Sequence, residues 1–530
     1  MTPQRQANEG EAVTTLHQRE RLAGPFTTPS LAALTNLFGR LNAEHIVYCH
    51  WKSNEHLRAA MAGDTDLDLL VDRRATLQFT RILAEAGFKR FTAVPQRAYP
   101  GIEDHLGMDE RTGKLIHLHV HYQLTLGEKG LKGYRLPWEH LVLSSRVLDD
   151  QAEIYIADPN VEFLLLIVRA ALKLRVRDML LPGGLRSAFT GSVLRELAWL
   201  RDRVVEDRLF GYARGLVGVA AARLLLEMTS GPPPSIHQLL ALRGCTEPSL
   251  REYRMYSAVE ALRRRLIREM SRHWRNSMRR YFHTSHPSKR MLSQGGVIAA
   301  FVGPDGSGKS TLTREVGRWL SVKLDVVPIY MGSGKGSASL PRRLLQSLAS
   351  LVRPHMPAVR SGFATPLTGA TPPRGQASSR LRRIGKILWQ TALAHERRRR
   401  LRLARRARDR GMVVICDRYP QRQFSGFNDG PGMSHLLDHR SWAVRAAARA
   451  ELAAMRTAEL QRPDLVIKLH VTMDVASQRR PNTPGEQLRR KMEAVCRLQY
   501  PPATRVVDID ATQPIEHVVL QVKRAVWEVV

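Results

Sequence analysis

Residues 299–311, AAFVGPDGSGKST, hold the side chains whose types and spacing most directly imply chemistry. Gly303, Gly308, Lys309 and Ser310 meet the pattern G-x-x-x-x-G-K-[ST]. Glycines there let backbone N–H groups turn inward around phosphate oxygens, where a Cβ would collide. Lys309 would reach the β- and γ-phosphates and Ser310 would ligate Mg²⁺. The helix that follows adds the positive end of its dipole. Gly303, Asp305, Gly306, Ser307, Gly308, Lys309, Ser310 and Thr311 are therefore the candidate ATP-binding loop.

A second segment, GMVVICDRYP (411–420), places Asp417 at the C-terminal end of an apolar strand. Open parallel sheets put their sites at that end. A carboxylate there can orient a Mg²⁺ shell or an attacking oxygen, and Arg418 beside it can grip an acceptor phosphate. A third, WKSNEHLRAAMAGDTDLDLLVD (51–72), offers Asp66 and Asp68 on one face of an expected strand, with Ser53 as a cap for the short helix between. Two such carboxylates are candidate ligands for Mg²⁺ or Mn²⁺. Asp64 is a further carboxylate without an assigned role. In LIHLHVHYQL, His117, His119 and His121 share a face. They are read either as partly buried histidines with ordinary partners or as metal or anion ligands.

GPDGSGKST, VVICDRYP and RPDLVIKLHV together resemble the thymidylate kinase group of P-loop nucleoside monophosphate kinases, over about 297–530. The resemblance implies that Asp305 lies near the acceptor's sugar and that Asp417, Arg418 and Tyr419 face its phosphate. A basic lid corresponds best to SQRRPNTPGEQLRRK. Its candidates for closing on the transferring group are Arg479, Arg480, Arg489, Arg490 and Lys491; a solvated charged helix is the other reading. By this resemblance Asp305, Arg418 and Tyr419 bind the acceptor, while Lys309, Asp417, Arg418, Arg479 and Arg480 carry catalysis. PQRQFSGFNDG, after Tyr419, departs from the group's acceptor-binding continuation. HERRRRLRLARRARDRG carries nine arginines from 397 to 410, more than one monophosphate needs. They are read as a solvated helix face or, for Arg397 and Arg398, as the lining of a larger anionic site. MGSGKGSAS (331–339) also suits a phosphate but lacks the loop spacing. Residues 40–150, with Asp66 and Asp68, look like the nucleotidyltransferase fold, although a third carboxylate on a later strand is missing.

These residues require elements to hold them. Strands are expected at 297–302, 326–331, 412–416, 465–471 and 504–510, separated by helices, which favours a parallel sheet. Before them comes an almost wholly helical stretch, and before that a small alternation of strands and helices. The expected fold class is α/β, with a C-terminal parallel-sheet P-loop kinase domain, a central helical region and a small N-terminal α/β nucleotidyltransferase-like domain. The divisions are a disordered arm (1–28), the N-terminal domain (29–150), the helical domain (151–283), a linker (284–296) and the P-loop domain (297–530), with a mobile insertion at 353–379. Within 257–282, Val259, Leu262, Leu266, Met270 and Trp274 form an apolar stripe, with Arg263, Arg264, Arg268, Arg272 and Arg275 on the other face. Packing of that stripe on a core is expected; an anionic membrane surface is the alternative.

The 530 residues exceed one core, and the 43 % apolar content is ordinary for a globular chain. A net charge of +33, mostly arginine, points to phosphate-bearing ligands. Cys49, Cys245, Cys416 and Cys496 form no CxxC pair, which argues against disulfides and zinc. The first residues lack an apolar signal core, and no apolar run is long enough for a transmembrane segment, so a cytoplasmic location is expected. The resemblance implies an ATP- and Mg²⁺-dependent phosphotransferase. Its acceptor would be small, phosphorylated and nucleoside monophosphate-like, in nucleotide-sugar or polysaccharide metabolism. A homodimer is compatible with this, and nucleic acid is not an expected partner. The alternatives are a nucleotidyltransferase with a regulatory P-loop domain, or a P-loop ATPase that binds polyanions.

Overall fold

A computed structural model describes residues 29–128, 131–174, 191–282, 286–332, 376–481 and 483–530. The N-terminal arm, the insertion as far as residue 375 and most of MGSGKGSAS lie outside the described residues; from Gln376 the chain is helical. The chain divides into two compact units, each discontinuous in sequence: 1–86 with 138–249, and 87–137 with 250–530.

The first unit has four short strands in the order Leu67–Val71, Tyr48–His50, Ile154–Ile156, Val147–Asp149. Leu67–Val71 runs antiparallel to Tyr48–His50, which lies parallel to Ile154–Ile156. Helices complete the unit. The helix Pro159–Lys173 shows why the local sequence folds as it does. Asp158 caps it by accepting from the Asn160 N–H at 2.8 Å, Pro159 occupies its first turn, and Val161 and Phe163 to Val168 are all buried.

In the second unit, Arg290–Leu292, Lys89–Ala93, Ile102–Met108 and Leu115–His121 form an antiparallel meander. Thus the stretch read as a linker contains a strand. The remainder is a five-stranded parallel sheet in the order Val326–Tyr330, Val413–Asp417, Val297–Val302, Leu465–His470, Arg505–Asp510. Alternate residues of its strands feed two cores, as a sheet covered on both faces requires. Ala299, Phe301, Val413, Ile415 and Ile467 pack against Leu312, Val316, Val522 and Trp527. Ile298, Ala300, Val414, Cys416 and Val466 pack against Leu401, Ala404, Ala407 and Ala458. The expected fold class, α/β with a C-terminal parallel sheet, is the one observed.

One expectation fails here. The helix Ala258–Phe282 does not bury its apolar stripe: Val259, Leu262, Leu266, Met270 and Trp274 are exposed. Three of its arginines engage the protein instead. Arg265 pairs with Glu128 at 2.6 Å, Arg268 lies over the Tyr99 ring and Arg264 over the Tyr256 ring. All four cysteines are free.

Candidate functional site

The phosphate loop joins the strand Val297–Val302 to the helix Lys309–Ser321. Its first glycine is demanded by space, since a Cβ on Gly303 would lie 2.6 Å from Ser307 Oγ and 3.0 Å from the Leu469 carbonyl oxygen. Gly306 and Gly308 are demanded by conformation, with φ of +88° and +83°. Lys309 is buried in the loop's concavity. Its Nζ donates to the Gly303 carbonyl at 2.8 Å, the Pro304 carbonyl at 2.5 Å and Ser307 Oγ at 3.2 Å. Burial first, then the neighbouring Arg418 charge, pushes the Lys309 ammonium down to about 8.

The parallel register brings Asp417 to this loop. Asp417 pairs with Phe301, two residues before Gly303. Its Oδ2 accepts from Ser310 Oγ at 2.5 Å. Its Oδ1 is buried and has no hydrogen-bond partner among the described residues. Arg418 follows with φ of +72°, a left-handed conformation that costs a long side chain about 1–2 kcal/mol. Its N–H donates to the Phe301 carbonyl at 3.0 Å, which holds that conformation in place.

The Arg418 guanidinium lies between two carboxylates, donating to Asp305 at 3.0 Å and to Asp429 at 3.4 Å. Lys491 reaches the other Asp305 oxygen at 2.6 Å, and the buried Arg397 donates to Asp429 at 3.2 Å. Five side chains thus alternate in charge: Lys491, Asp305, Arg418, Asp429, Arg397. Burial would raise the Asp305 carboxyl, but the Lys491 hydrogen bond and the Lys491 and Arg418 charges outweigh it and hold it well below the usual range. The Asp429 charge, opposed by burial and helped by Asp305, lifts Arg418.

The structure sorts the remaining candidates. From the lid, Arg479 donates to the Gly306 carbonyl at 3.2 Å. Arg480 is exposed at the end of the same helix. Arg489 and Arg490 pair with Glu486 on their own helix turn, the ordinary arrangement of a solvated face. Arg398 is exposed, whereas Arg397 is buried. Tyr419 is a correction. Expected at the acceptor side, it is buried among Val414, Val466 and Ala458 and donates to the Gln461 carbonyl. The left-handed residue before it breaks the strand's alternation.

Asp429 was missed. Its signal was the triplet Asn428-Asp429-Gly430, a composition suited to left-handed turns; Asn428 and Asp429 have φ of +44° and +63°. Gln421 holds this loop by donating to the Phe424 and Phe427 carbonyls at 2.9 and 2.7 Å.

The first unit carries the other set. Asp68 lies on Leu67–Val71 with Lys52 Nζ at 2.8 Å, and Asp66 immediately precedes that strand. Ser53, with φ of +60°, makes no side-chain cap. Its N–H and hydroxyl donate instead to the two oxygens of Glu196, at 3.0 and 3.3 Å. The Asn54 N–H and side-chain amide donate to Glu162 at 3.1 and 2.7 Å. Arg169 completes the group, donating to Glu196 at 3.2 Å. Burial, then the Glu196 charge, raises the Glu162 carboxyl. Neither glutamate was anticipated; Glu162 is a lone acidic residue inside the apolar run NVEFLLLIV.

In the second unit, His117 Nε2 lies 2.7 Å from Asp104 Oδ1, and His121 Nε2 lies 3.3 Å from His119 Nδ1. Arg290 also reaches Asp104, at 2.8 Å.

Loop and sheet together define a P-loop nucleotide-binding protein of α/β fold. No family profile matches the chain. Over 238 residues it is 26 % identical to "Uncharacterized ATP-binding protein YghR" of Escherichia coli (strain K12), a match spanning 44 % of this chain and 86 % of that one. "Uncharacterized ATP-binding protein YghS" of the same strain is 25 % identical over 230 residues, spanning 43 % of this chain and 92 % of its own. Among solved structures, thymidylate kinase from Ehrlichia chaffeensis aligns with 44 % of this chain and 98 % of its own, at 17 % identity and a TM-score of 0.22.

Proposed function

We propose that this chain is an ATP-dependent phosphotransferase whose acceptor is a small phosphorylated molecule of nucleoside monophosphate type. The observation that carries the reading is the meeting of Ser310 and Asp417 at 2.5 Å beside the Arg418–Asp305 pair. A nucleotide-holding loop and a set of acceptor-gripping charges thereby share one strand end. The ATP-binding relatives add support.

The residues fit Mg²⁺. Ser310 and Asp417 are hard oxygen donors, and the orphaned Asp417 Oδ1 is a buried acceptor awaiting a cation or its hydration shell. When bound, the ion neutralises phosphate charge. The chain's own groups do the rest. Lys309 exchanges the Gly303 and Pro304 carbonyls for phosphate oxygens, and Arg479 reaches the loop's rim at Gly306. Arg418 and Lys491 orient an anionic acceptor, and Asp305 receives a hydroxyl. In the transfer, the bond from the γ-phosphorus to the β-bridging oxygen breaks. A bond to an acceptor phosphate oxygen forms, and ADP departs. Catalysis of this kind is mostly positioning and charge stabilisation.

The test is a screen of phosphorylated acceptors with γ-labelled ATP and Mg²⁺, run on the wild-type chain and on Lys309→Ala. Label should appear on an acceptor, and the variant should lose about 10³-fold or more in rate. Hydrolysis that no acceptor changes, or a variant that keeps its turnover, overturns the proposal.

A further inference from the structure

The helix Ala258–Phe282 is turned inside out for a globular protein. A surface helix ordinarily packs its apolar stripe inward and shows its charges to water. Here Arg265 and Arg268 are anchored on Glu128 and Tyr99, and the apolar side faces out. Val259 is 78 % exposed, Met270 70 % and Trp274 66 %, with Leu262, Leu266 and Ile267 at 50–52 %. Single exposed apolar residues need no explanation, but six on one face of one helix call for a cover.

From this surface we infer that the helix docks on an anionic lipid surface, lying in the plane of the headgroups with its apolar face in the acyl boundary. Charge selects that occupant. The helix contains eight arginines and two glutamates, an excess of six positive charges within a chain of net +33. A second copy would bring the same excess against it, and like charges oppose that pairing. An anionic bilayer complements it. Arg263 and Arg264 are partly exposed and pair with Glu260 on their own helix turn, so headgroup phosphates would compete with that carboxylate for them. A Trp and a Met within a Leu/Ile face match the composition of interfacial helices. The mode is surface binding: no described helix is long and apolar enough to cross a membrane.

The experiment is flotation of the full chain with vesicles of phosphatidylcholine alone or mixed with phosphatidylglycerol, at low and high salt. The wild type is compared with Leu266→Glu/Met270→Glu. Both substituted side chains are exposed, and ATP binding plus circular dichroism establish that the variant is folded. The wild type should partition onto the anionic vesicles at least about tenfold better than onto neutral ones, less so at high salt. The variant should lose about tenfold or more of that partition. No preference for phosphatidylglycerol overturns the inference, as does equal flotation of wild type and variant. A wild-type dimer that the substitutions dissociate, without lipid binding, assigns the face to a second copy and also overturns it.

Discussion

The turn at Ser53–Asn54 and the loop at Gly303–Ser310 both start a helical segment beside a strand, and both are surrounded by carboxylates. They differ in what the carboxylates do. At the first, Glu196 and Glu162 accept the N–H groups of Ser53 and Asn54, so donors a phosphate would need are already engaged. At the second, no described carboxylate accepts from the loop's amides. Asp417 takes the Ser310 hydroxyl and keeps one oxygen unpartnered, while Asp305 and Asp429 flank Arg418. The lesson is that a carboxylate cluster is structural when its lone pairs are filled by its own backbone. It is a candidate site when buried capacity is left over.

The comparison breaks if the first cluster proves dispensable. Glu196 and Arg169 are nearly buried, with side-chain exposures of 4 % and 12 %. Removing one partner of such a pair leaves the other uncompensated. Glu196→Ala should therefore lower unfolding free energy by about 3 kcal/mol, even after relief of its repulsion with Glu162. Chemical denaturation measures this, and a loss below about 1 kcal/mol would mean that the cluster does not hold the turn.

A smaller effect sharpens the second half. Asp429 competes with any acceptor phosphate for Arg418 and Arg397. Asp429→Asn should lower the acceptor KM by several-fold, about tenfold at most, with ATP affinity unchanged. If KM rises instead, Asp429 contacts the acceptor directly, and the acceptor presents hydroxyls rather than a phosphate to this pair.

How much of this was legible depended on how local the information was. The loop at 303–310 could be read because its chemistry, its glycine conformations and its strand–helix context occupy a dozen consecutive residues. Asp417 followed from its place at the end of an apolar strand. Asp429 did not, because only the fold of residues 421–433 returns it to Arg418. Tyr419 was misplaced because its role was carried over from the family resemblance, whereas here it lies in the core after the left-handed Arg418. The stripe at 259–274 was correctly seen as amphipathic, but periodicity reveals that a helix has two faces and not which one the protein uses. Tyr99 and Glu128, far away in sequence, decided that. Composition shifts along the chain likewise cannot reveal units that are discontinuous in sequence.

The smallest expected effect is a proton count. Lys309 has the depressed value of about 8 because it is buried and faces Arg418. Binding ATP surrounds it with negative charge, which favours the ammonium and raises its pKa. Below pH 7 the group is already charged, so binding exchanges no proton through it. At pH 8 binding should take up about half a proton, rising towards one between there and the raised value, where ATP affinity should fall by up to about tenfold per pH unit. Titration calorimetry at pH 9 in two buffers of different ionisation enthalpy measures the uptake directly. The glutamate-filled turn at Ser53–Asn54 contributes nothing to such a signal if ATP binds at 303–310 alone. In Lys309→Arg, whose guanidinium stays charged throughout, the pH dependence from this group should vanish. Uptake that persists in that variant would locate the titrating group elsewhere.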